Sequence, residues 1–258
     1  MIEPSRARNI LAAFLLIALT LSACNESATS AEPIAVAIES GETRQSGSHL
    51  DIAVTTPVLS GFPGAQELNA RIRTSLDAAV REVEDAANEL AATGSDDRIA
   101  TLSGSFDCAC FPEDDLYSLW ITREDYRGGA HGSHRIESYT FSAVTGAVYT
   151  FEELFTPDSG GPAAVEAALL AAVGGPDFFP DAVETVEACG RDYAFLINGD
   201  QIVVYFPLYD VAPYAAGITG FALPAADLEK WLKPEIAEAL RGRTPVDLPI
   251  LALQPLVL

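Results

Sequence analysis

The chain has 258 residues, with 15 Lys and Arg against 37 Asp and Glu, for a formal net charge of −22. A surface this acidic excludes a nucleic-acid binder, which needs a basic face for the phosphate backbone, and argues against broad adhesion to anionic lipid. It suits solubility, divalent cations or a basic protein partner, and the length allows one large domain or two small ones with real cores.

In chain order, Arg6 and Arg8 precede the apolar run ILAAFLLIALTLS. That run is too short for a spanning helix and suits the core of a signal peptide. Leu21-Ser22-Ala23-Cys24 resembles the bacterial lipobox at every position. The resemblance implies cleavage before Cys24, lipidation of its sulfur and a periplasm-facing anchor in the cell envelope. Each buried methylene of such an anchor contributes about 0.8 kcal/mol. Asn25 follows where Asp would favour inner-membrane retention, so the outer membrane is the expected location. Residues 1–23 are therefore the leader. Residues 24–48, small and polar with no aromatics, read as a flexible tether.

Leu50, Ile52 and Val54 then alternate as in a strand, and Leu68, Ile72, Leu76, Val80, Val83, Ala87 and Leu90 recur at helical spacing. Gly94 stands where a helix C-terminal cap belongs. Three strand-like runs follow, RIATLSGSFDCACF, LYSLWITRED and RIESYTFSAVTG. VYTFEELF adds a short strand and a turn, and GPAAVEAALLAAVGG a short helix. DYAFLINGDQIVVYF reads as a hairpin around Asn198-Gly199. ITGFALP is a further strand, and AADLEKWL and PEIAEALRG are short helices, the second opened by Pro234. The last stretch, residues 246–258, is an apolar tail expected to dock as an extended edge. Mostly consecutive strands predict antiparallel sheets with helices on one face, an α+β fold.

Beyond Cys24 the cysteines are Cys108, Cys110 and Cys189. In an oxidising compartment one disulfide is expected. Cys189 with Cys108 or Cys110 is the expected bridge, because a ring closed across one residue is strained. The alternative is a C-x-C metal or redox site. In DYRGGAHGSHR, His131 and His134 are candidate metal ligands, but zinc takes three or four ligands and this spacing supplies two. The structural reading is a turn in which Gly128 and Gly129 supply backbone freedom and His131 hydrogen-bonds the backbone. No metal or other cofactor is expected. There is no Gly-x-Ser-x-Gly, Ser-x-x-Lys or His-Glu-x-x-His, and Ser133 beside His134 is not triad geometry. Enzymatic activity is therefore not expected.

DYRGGAHG followed by YTFSAVTGAVYTFEELF resembles the junction of two domains found together in bacterial envelope proteins. The first is similar to the domain preceding the catalytic part of PdaC-type peptidoglycan deacetylases. The second is similar to the C-terminal domain of RsiV-type anti-sigma factors, through VVYFPLYDVAPYAAGITGFALPAADL. The matching positions are Tyr205, Phe206, Tyr209, Asp210, Pro213, Tyr214, Ala215 and Gly217; Asp210 stands where the family more often has Glu. The likeness covers about residues 48–245. It implies two interlocked half-domains, residues 49–145 and 146–245, and a role in binding or sensing, since RsiV-type proteins bind lysozyme. The deacetylase's catalytic part and the anti-sigma factor's sigma-binding part have no counterpart in this sequence, so neither activity carries over. Tyr209, Asp210, Pro213, Tyr214 and Gly217 are the candidate ligand-binding loop, an acidic and aromatic rim suited to a basic, lysozyme-like protein or a peptidoglycan fragment. The bland alternative for this loop is a fold-stabilising turn. For the whole chain the alternatives are a structural envelope lipoprotein without a discrete ligand and a periplasmic metal-binding protein.

Overall fold

The computed structural model describes residues 36–94, 98–256 and 258. The expected leader, Cys24 and the start of the expected tether lie outside the described residues. The first sheet has the order β1 (Ala37–Ser46), β2 (Leu50–Ser60), β3 (Ala100–Phe111), β4 (Leu116–Tyr126) and β5 (Ser133–Phe141). Its neighbours are antiparallel except β2 and β3, which run parallel. Helix α1 (Ala65–Thr93) is the crossover between them, as a parallel pair requires.

The helical stripe read from the sequence is the face that α1 buries. Leu68 and Ile72 meet Tyr117, Leu119, Ile121 and Phe141, while Leu76, Val83, Ala87 and Leu90 meet Ile52, Val54, Ala100 and Leu102. Each of the Leu, Ile, Val and Phe side chains among them contributes about 1.5–3 kcal/mol on burial. Gly94 ends the helix in the left-handed region, at φ 67°, with its N–H turned back to the carbonyls of Leu90 and Ala91. The tether expectation fails over Ala37–Ser46, which is β1. Its polar, largely exposed side chains gave no apolar alternation to read. Its pairing with β2 is carried by the backbone ladder.

The second sheet has the order β6 (Phe195–Asn198), β7 (Gln201–Phe206), β8 (Ile218–Pro224) and β9 (Leu251–Pro255). β6, β7 and β8 are antiparallel, and β9, within the apolar tail, runs parallel to β8 as an edge. Ile197, Ile202, Val204, Phe206, Phe221 and Leu223 lie in one core with Val165 and Leu169 of α2 (Gly161–Val173) and Val186 of α3 (Ala182–Ala188). Leu228 of α4 (Ala225–Leu228) and Ile236 of α5 (Pro234–Leu240) complete it. The residues of alternate parity, Leu196, Val203 and Tyr205, gather instead around Trp120 of β4 together with Ile218 and Leu251.

The two sheets thus meet at Trp120, with α1 covering the outer face of the first and the short helices covering the second. The fold is α+β. Polar ties reinforce the seam. The Ile197 N–H donates to Ser118 Oγ at 2.8 Å, and the Ser138 hydroxyl donates to the Phe195 carbonyl. Ser138 Oγ can then accept from the Tyr205 hydroxyl, 2.8 Å away.

Candidate functional site

Two segments singled out separately in the sequence come together in space. The connection from β4 to β5 carries His131, and the loop from β7 to β8 carries Tyr209 and Tyr214. His131 stacks on Tyr214 with ring centroids 3.8 Å apart, and Tyr209 lies 5.7 Å from Tyr214. His131 Nδ1 is 2.9 Å from the Gly132 carbonyl, and its Nε2 is 3.1 Å from the Tyr209 hydroxyl. A carbonyl only accepts, so Nδ1 carries a proton; in the neutral ring Nε2 then accepts from the Tyr209 hydroxyl. The Tyr214 hydroxyl donates to the same Gly132 carbonyl at 2.9 Å. One backbone oxygen therefore ties the histidine turn to the aromatic loop, and both ring nitrogens of His131 are engaged.

The loop is pinned from beneath. Val211 and Ala212 are buried in the main core, and the Phe179 N–H donates to the Val211 carbonyl at 2.9 Å. Pro213 enters a short 3₁₀ turn, Tyr214–Ala216, which Gly217 closes at φ 72°. Tyr209 itself has φ 69°, a left-handed backbone that disfavours a side chain, and yet the residue is 53 % exposed. Such a residue costs on the order of 1–3 kcal/mol and persists only where its surroundings hold it. Here the hydroxyl bond to His131 and the Tyr214 ring do so.

Asp210 is an exposed residue, and partial desolvation of its carboxyl by the loop raises it above the usual range. Burial first, then the charges of Asp210 and Asp192, pushes the Cys189 thiol up as well. Cys189 is therefore a poor nucleophile at neutral pH.

The histidine turn depends on two of its glycines. Gly128 has φ 84°, and a Cβ there would stand 2.7 Å from Leu90 Cδ2. Gly129 has no positive φ, so the turn needs glycine's freedom at Gly128 alone of the two. Gly132, not picked out from the sequence, is required for closeness, since a Cβ would meet the Asp125 carbonyl at 2.9 Å. His134 opens β5 and lies 3.6 Å from Glu124. No group of three or more His, Cys, Asp or Glu able to hold a metal occurs among the described residues.

The expected Cys189 bridge is corrected. Cys108 and Cys110 form the disulfide, with Cα atoms 5.7 Å apart, and Cys189 is a free thiol at the end of α3. The reason is the strand period of two. Residues i and i+2 of β3 leave the sheet on the same face and meet.

A second polar centre lies between α1 and β5. Arg123 Nη2 donates to Glu137 Oε2 at 2.6 Å and Nη1 to Ser75 Oγ at 2.8 Å. The Ser75 hydroxyl donates to Glu137 at 2.7 Å, and the Tyr139 hydroxyl donates to the other carboxylate oxygen. Burial first, then that bond and the Glu137 charge, pushes the Tyr139 hydroxyl well above its ordinary range. This network borders a cleft of about 460 Å³ that also includes Glu82, Arg135, Ser138, Asp192, Phe195 and Tyr205.

Comparison with known proteins places the aromatic loop inside a recognised stretch. Residues 163–226 match the family described as "Protein of unknown function (DUF3298)". No curated protein matches the chain. A crystal structure of a DUF3298 family protein from Pseudomonas aeruginosa PAO1 is similar over 80 % of this chain and 97 % of its own, with 17 % identity and a TM-score of 0.47. One from Bacteroides fragilis NCTC 9343 covers 80 % and 98 %, with 17 % identity and a TM-score of 0.51. The latter likeness is one of fold. The chain thus contains a stretch similar to DUF3298, from α2 to α4, which includes Tyr209, Asp210, Pro213, Tyr214 and Gly217.

Proposed function

We propose that this chain is a lipid-anchored binding module of the bacterial cell envelope, facing the periplasm, which grips a basic, lysozyme-like protein through Tyr209, Tyr214 and His131. The carrying observation is Tyr209, half-exposed in a left-handed backbone and held there by His131. An exposed aromatic ring fixed before contact loses little entropy on binding, which is the property of a contact hot spot. The net charge of −22 favours a cationic partner by steering its approach. The likeness of YDVAPYAAG to RsiV-type domains, which bind lysozyme, points the same way. The module performs no chemistry in this reading, and Cys24 is its anchor.

Isothermal calorimetry with lysozyme at low and moderate salt tests the proposal, with muropeptides as a second titrant. Lysozyme binding that weakens with salt is expected. Heat from muropeptides alone would transfer the platform to a saccharide ligand, and no heat from either would end the proposal.

A further inference from the structure

The cleft beside β5 has a floor that side chains alone do not describe. β5 pairs with β4 on one side only, and at its far end Thr140 turns its carbonyl away from β4 to accept from the Tyr149 N–H at 2.7 Å. In an antiparallel pair the backbone groups alternate between inward and outward. Ile136 and Ser138 therefore turn their N–H and C=O outward, as Thr140 does. Both residues line the cleft, with Glu82 and Arg135 on the α1 side and Asp192, Phe195 and Tyr205 on the other. Among the described residues, the Tyr205 hydroxyl reaches this edge, 3.5 Å from the Ile136 carbonyl. A strand edge lying open in a walled groove is the geometry by which proteins add an extended segment to a sheet.

The charges select the occupant. Arg123 is neutralised by Glu137 at 2.6 Å, and Arg135 is drawn to Glu82 at 3.3 Å. Glu82 also holds Arg127, at 2.5 Å. Asp192 is exposed on the rim and has no ion pair among the described residues. With both cleft arginines compensated and a carboxylate left over on a strongly acidic protein, the groove favours a cationic strand.

We propose that the β5 edge at Ile136 and Ser138 is a second binding site, which takes an extended basic segment of a partner polypeptide as an added strand. It does not depend on the Tyr209 platform. The probe is an acetylated hexapeptide of alternating Lys and Val, offered to the full chain while amide hydrogen exchange is followed residue by residue. At saturation, exchange at Ile136 and Ser138 is expected to slow at least tenfold. A backbone N-methylated version of the peptide should give no slowing, and Asp192→Lys should weaken binding at least fivefold. Ile136→Pro removes an outward N–H and should abolish binding. If that variant unfolds, the N-methylated peptide and Asp192→Lys decide the matter without touching the β5 backbone. Tyr209→Ala should leave the protection intact, which separates this site from the platform. Unchanged exchange at saturating peptide would overturn the proposal. Equal protection by a Glu-Val hexapeptide would overturn its charge preference. Protection that needs no peptide and follows protein concentration would assign the edge to a second copy of this chain.

Discussion

Glu137→Leu is the most informative single change to the fold. Glu137 receives Arg123, Ser75 and Tyr139 at once. Arg123 has a side chain only 7 % exposed, and its Nε already lacks a partner. Removing Glu137 leaves that guanidinium charged and uncompensated beside α1. Breaking a buried pair from one side typically costs about 3–5 kcal/mol. Glu137 is 21 % exposed, so water relieves part of the loss, and about 2–4 kcal/mol is the expected cost. The double change Arg123→Met with Glu137→Leu removes both charges, and it should recover to within about 1 kcal/mol of the parent. Urea unfolding of the four proteins, with a shared m-value as the check on two-state behaviour, gives the cycle directly. A single Glu137→Leu cost below about 1 kcal/mol would refute the reasoning, because the charge would then be solvated rather than held.

Two further outcomes follow from the site. Asp210→Asn should raise the melting temperature slightly at pH 7, because partial desolvation raises the folded pKa of this otherwise exposed carboxyl and penalises its charged form. The native protein gains from protonation, so the stabilising effect of the Asn should fade as pH falls through the raised pKa and vanish below the ordinary carboxylate pKa. A pH-independent effect would contradict the cause assigned. Thiol labelling of denatured, unreduced protein should modify Cys189 and spare Cys108 and Cys110, which are joined on β3. Mapped label on Cys108 or Cys110 would overturn the pairing.

Much of the architecture was legible because local periodicity expressed it. The α1 stripe, the Gly94 cap and the β6–β7 hairpin followed from spacing and turn chemistry. The parallel pairings of β2 with β3 and of β8 with β9 depart from the antiparallel expectation; a strand, long helix, strand order permits the first, because a crossover of that length can return the chain in the same direction. β1 was not legible, because an edge strand with polar, exposed side chains pairs through its backbone and leaves no alternation. α3 is seven residues long and too short for a periodic signal. The Cys108–Cys110 pairing was legible in the spacing, since a separation of two on a strand places both sulfurs on one face.

The candidate site was legible in its parts and not in its assembly. His131 and Tyr209 are 78 residues apart, and no local pattern joins them. The turn's glycines and the loop's Pro213 and Gly217 marked two irregular segments. The packing of the two sheets at Trp120, with the polar ties along their seam, accompanies the contact of the two segments, where the Gly132 carbonyl receives both His131 and Tyr214. The metal reading of the two histidines fits this packing poorly, because each His131 nitrogen already has a partner.

The platform can be separated from the fold by one substitution. Tyr209→Gly removes the exposed ring and at the same time suits a backbone at φ 69°. Lysozyme calorimetry on the parent and on this variant, alongside a thermal melt, is the direct test of Tyr209 as a preformed contact. The expected result is a melting temperature equal to or above the parent's, with affinity reduced at least tenfold, or about 1.4 kcal/mol. Unchanged affinity in a folded Tyr209→Gly protein would contradict the account.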